Sequence, residues 1–109
     1  EEALEATREA VEIQRALAKA RPETFLPDLA MYLGARGAVL AGMERQAEAA
    51  EAFHEGLTLI VGMVERYPEA LGGLAGALAR EYIKAVEAAG GKKDEALVKG
   101  VMAAIGKKE

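Results

Sequence analysis

The sequence predicts an all-α domain of about five helices, folded as antiparallel helical hairpins. Three observations predict it. Apolar residues recur at the 3.6-residue helical period in five segments. Prolines and paired glycines fall at the breaks between those segments. The 22 residues from Glu2 to Glu23 also find a gap-free counterpart from Glu48 to Glu69, 46 positions later.

Helix one runs from Glu1 to about Ala20, with Leu4, Val11, Ile13 and Leu17 recurring among alanines. The stretch "RPETFLPDLA" then stops it: Pro22 disfavours helical geometry at Arg21, and Pro27 suits the first position of a new helix. Helix two, from Pro27 to about Ala41, carries Leu29, Leu33 and Leu40, with Gly34 and Gly37 allowing close approach to a neighbour. Helix three covers about Gln46 to Arg66. Its broad apolar face of Phe53, Leu57, Ile60, Val61 and Val64, widened by Leu59 and Met63, predicts contact on two sides. After "YPEALGG", helix four spans about Leu71 to Ala89 on Leu74, Leu78, Tyr82 and Val86. "GGKKD" is a turn with a helix start at Asp94, and Leu97, Val98, Val101, Met102 and Ile105 form a short fifth helix.

The composition narrows the function. At 109 residues the chain fits one domain, and with 51% hydrophobic residues but no tryptophan its core must come from close packing around small side chains. The formal charge of −4, with acids and bases interspersed, argues against nucleic acid. Absence of cysteine excludes disulfides, thiol nucleophiles and thiolate metal sites. No apolar run approaches the roughly 20 residues of a membrane span, and "EEALEATREA" lacks the regions of a signal peptide. A soluble, cytoplasmic protein without membrane contact is the expectation. Serine and asparagine are missing, which leaves threonines and Asp28 and Asp94 as helix caps.

In the gap-free alignment Pro22 falls on Pro68 and Glu23 on Glu69. A period of about 46 residues is that of helical repeat arrays. Units of about 2–47 and 48–94 follow, with a partial third at 95–109, all within the single domain 1–109. In that frame "RPETFLPDLA" joins neighbouring hairpins, and Phe25, Leu26 and Leu29 are expected to be buried between stacked units.

The unit "EALEATREAVEIQRALAKARPETFLPDLAMYL" resembles the tetratricopeptide repeats, in the long-period variety of large bacterial regulatory proteins. The family's small-large-small signature maps to Ala49, Phe53 and Gly56, and its first-helix glycine to Gly37. Where long-period members carry two asparagines this chain has Gly34 and Ala35, and its inter-helix turn has Glu44 in place of glycine. The residues of a two-oxygen carboxylate clamp are not recognisable. The resemblance implies a right-handed α-solenoid fragment, a scaffold that binds a protein or peptide ligand in a concave groove lined by the first helix of each hairpin. Those positions are Met31, Gly34, Ala38 and Ala41 on helix two, with Arg80 and Lys84 on helix four.

Sharper chemistry is outweighed by plainer readings. Glu51 and His54 have the spacing used in di-metal bundles, but Arg8 stands at the repeat position of His54 and there is no second histidine. No metal and no cofactor are expected. The glutamates at 5, 9, 12, 48, 51 and 55 alternate with apolar positions as a solvated face does, so no catalytic residues are assigned. "GGLAG" lacks the strand and the Lys-Ser/Thr of a phosphate loop. Lysines 92, 93, 107 and 108 are read as solvating a terminus. The competing expectation is structural: helix one opens halfway through a repeat, so its apolar face awaits a longer array or a homodimer.

Overall fold

A computed structural model of the chain describes residues 2–106. Glu1 and lysines 107 and 108, which the reading above assigned to helix one and to a solvated end, lie outside the described residues. Five helices make up the fold: α1 (Glu2–Ala20), α2 (Pro22–Gly42), α3 (Gln46–Arg66), α4 (Pro68–Ala89) and α5 (Glu95–Gly106). There is no strand among the described residues.

Two helices start earlier than the sequence suggests. The break after α1 is the single residue Arg21 (φ −141°, ψ 76°), and α2 begins at Pro22; α4 begins at Pro68 after Tyr67 (φ −131°, ψ 60°). Proline costs nothing at a first helical position, because its missing N–H is one that no carbonyl awaits. Both joints have the same bonds. Arg21 N–H donates to the Leu17 carbonyl and Tyr67 N–H to Met63, while the Arg21 and Tyr67 carbonyls accept from Phe25 and Leu71. Pro27 therefore sits inside α2, where it removes one bond to the exposed Glu23.

Contacts fix the directions of the helices. Gly37 meets Phe53 and Ala30 meets Gly56, so α2 and α3 are antiparallel. His54 lies against Tyr82 and Gly56 faces Leu78, so α3 and α4 are antiparallel; Asp94 meets His54 and Gly100 faces Val61, so α5 runs parallel to α3. Most of the larger core is built around α3. Its buried face includes Ala49, Phe53, Gly56, Leu57, Ile60 and Val64, covered by α2 on one side and by α4 and α5 on the other. The breadth of its apolar stripe is thus used on two sides.

A smaller cluster joins α1 to α2 through Val11, Ala18, Leu29 and Leu33. Leu29 is 3% exposed, whereas Phe25 and Leu26 are only half-buried, so the joint is not the sealed contact expected of it. The reason is the position of α1, no α-carbon of which comes within 8 Å of α3. Ile13 and Leu17 also miss the core, at 59% and 38% exposed. At about 100° per residue, Ile13 points some 200° away from the buried Val11.

The packing has two checkable consequences. Phe53 is 2% exposed, and Phe53→Ala is expected to lower unfolding stability by about 3–5 kcal/mol in urea titration. At the α2–α3 turn Glu44 has φ 62°, a left-handed conformation that glycine adopts freely. Glu44→Gly is expected to leave stability unchanged or raise it by up to about 1 kcal/mol, against a loss of that size for glycine at an ordinary helical site such as Ala35.

Candidate functional site

The six residues expected to line a groove occupy α2 and α4, which run side by side. Met31 is 48% exposed and Ala38 is exposed. Gly34 is not open in the same way: a Cβ there would lie 2.9 Å from the Leu78 side chain, so this glycine is where α4 approaches α2. Ala41 and Lys84 share the lining of a hollow of about 210 Å³, with Gln46, Phe53 and Glu81. Lys84 leans toward Glu81, 3.9 Å away. Arg80 lies apart, 3.6 Å from a Cβ built on Gly76, on the side of α4 where Ile105 of α5 packs. The fold therefore brings Ala41 and Lys84 together, uses Gly34 for packing, and turns Arg80 toward α5.

A polar site that sequence reasoning missed lies at the start of α5. Asp94 caps this helix, its Oδ1 accepting from the Leu97 N–H at 3.1 Å. Its Oδ2 accepts from His54 Nε2 at 2.9 Å, and its own N–H donates to the Tyr82 hydroxyl at 2.8 Å. The His54 and Tyr82 rings are 5.6 Å apart. The hydrogen bond from His54, then that from Leu97, holds the Asp94 carboxyl below its ordinary range. A histidine oriented by a carboxylate has the form of a general base. Here, however, the pair fastens α5 to α3 and α4. Asp94 was legible as a helix start, but a partner 40 residues away leaves no local signal.

Glu51 and His54 line one hollow of about 310 Å³ with Tyr82 and Lys92. Among the described residues no three histidine, cysteine, aspartate or glutamate side chains are grouped to hold a metal ion. No described helix is long and apolar enough to cross a membrane.

Two further hollows lie between α1 and α3, with α2 as their floor. One, of about 290 Å³, is lined by arginines 8, 15 and 36 and by glutamates that include Glu48 and Glu51. One Arg36 guanidinium nitrogen is buried there without a hydrogen-bond partner. The other, of about 530 Å³, is lined by Ala16, Ala18, Leu26, Leu29 and Leu59 and edged by Arg15 and Lys19. The Arg15 guanidinium crosses between them to pair with Glu55. No protein-family model matches the chain, and neither curated proteins nor solved structures include a significant match to it.

The latch at Asp94 has a pH signature. A carboxyl whose pKa is lowered by folding contributes stability that is present above its unfolded value and lost as pH falls through the folded one. Protection of α5 amides from hydrogen exchange is therefore expected to fall on acidification below about pH 4, the ordinary aspartate range. Asp94→Ala is expected to show weak protection of α5 at neutral pH already.

Proposed function

We propose that the chain is a non-catalytic interaction module of tetratricopeptide type, a right-handed stack of helical hairpins that holds a protein or peptide segment against α2 and α4. The observation that carries the reading is the face these helices share: Met31 and Ala38 stand exposed on α2, and Ala41 with Lys84 lines a hollow between the helices. An apolar strip beside a lysine suits a helical or extended ligand with an acidic flank. Gly34 sets the spacing of the two helices, and Arg80 lies on the α5 side of α4. Neither a cofactor nor a metal is part of this activity.

A second reading is favoured by one observation, the exposure of Ile13 and Leu17 on α1. In that reading the chain is a structural segment of a longer array, or a homodimer joined through α1.

Recovery of a partner by pull-down with the wild-type chain, followed by titration of variants, separates the two. Met31→Ala and Lys84→Glu are expected to weaken binding about tenfold or more while changing the melting temperature by no more than a few degrees, since both side chains are exposed. Unchanged binding in both, with loss of association in Leu17→Glu, would establish the structural reading instead.

A further inference from the structure

We infer that the gap between α1 and α3 is a second docking surface, one that takes an extended partner segment offering a bulky apolar side chain and, within two residues of it, a carboxylate. The inference deepens the reading of the chain as an interaction module. It places a contact on the other side of α2, because Leu29 and Met31, two positions apart, point about 200° away from each other.

The gap is held open by a polar strut. Arg15 and Glu55 bridge α1 and α3 with both ends of the guanidinium, and the two backbones stay more than 8 Å apart. Where α3 meets α5 the contact is apolar and closed: Val61 lies 3.9 Å from a Cβ built on Gly100, and Val101 is wholly buried. An ion pair needs its length and its water, so it spaces the helices where a valine contact draws them together.

On the side of the strut toward the end of α1 the hollow is apolar, with Leu26, Leu29 and Leu59 as its walls. Its volume of about 530 Å³ falls within the range of built ligand sites, about 300–1,000 Å³. Its only charged lining residues are cations. Arg15 is engaged by Glu55, and Lys19 has no ion-pair partner among the described residues. A carboxylate is the complement of Lys19. On the other side of the strut the hollow is lined by arginines and glutamates together, so it offers no wholly apolar wall for the bulky side chain. From Arg15 to Lys19 is one turn, about 6 Å along α1, or about two residues of extended chain.

The test uses the isotope-labelled chain and three blocked hexapeptides with the central pairs Phe-Glu, Phe-Lys and Ala-Glu, followed by amide chemical shifts at millimolar peptide. The Phe-Glu peptide is expected to shift Ala16, Lys19, Leu26 and Leu59 and to bind at least tenfold more tightly than the other two. Lys19→Glu, on an exposed side chain, is expected to reverse the preference toward Phe-Lys, and Lys19→Ala to abolish it. Absence of shifts at these residues, or equal binding of Phe-Glu and Phe-Lys, would overturn the inference. Shifts confined to Met31, Ala38 and Lys84 would also overturn it while supporting the α2–α4 surface, so the two proposals fail separately.

Discussion

Everything in this fold depends on how closely α2 can approach α3. The Phe53 ring occupies the place a side chain at position 37 would take, since a Cβ built on Gly37 falls 2.6 Å from it. Two turns earlier on α2 and one later on α3 the contact reaches the backbone, with the Ala30 carbonyl 3.3 Å from a Cβ built on Gly56. Glycine in mid-helix costs about 1 kcal/mol of helical propensity. That cost is offset because the two helices then enclose Phe53, the largest fully buried side chain among the described residues. With few aromatics available, a core made of alanine, glycine and leucine reaches native density only at such short separations.

From α3 outward the character of the contacts changes. Toward α4 and α5 the interface is apolar, continued by Leu78, Ala79, Tyr82 and Val101, and fastened at one end by the Asp94 cap. Toward α1 it is bridged by charge. The difference explains why the molecule has a closed end and an open one. Beneath α1 lies an apolar hollow walled by Leu26, Leu29 and Leu59. The exposed pairs within α1, Arg8 with Glu5 and Glu12, contribute little to stability, because exposed ion pairs are worth about 0–1 kcal/mol.

The exposure of some groove residues was legible from residue types. Met31 and Ala38 are exposed because helical periodicity assigns them to the side of α2 away from Leu33 and Leu40, while Ala41 and Lys84 line one hollow. Gly34 and Arg80 were less legible. A glycine in a helix reads equally as open groove and as close packing, and only the position of Leu78 decides between them. The direction of Arg80 depends on where α5 lies, which its own helix does not encode.

The sequence by itself determined five helices, their approximate ends, the two-sided burial of α3 and the absence of cysteine chemistry, because periodicity, proline and composition act over a few residues. Even its errors were local: both proline joints are one residue wide because proline at a first helical position needs no wider break. Tertiary structure alone decided the spacing of helices that are not neighbours in the chain. The partners Arg15 and Glu55, like His54 and Asp94, are 40 residues apart. Whether two such side chains meet depends on the packing angles of the helix between them, and those angles follow from the shapes of all the side chains at the interface rather than from any short pattern.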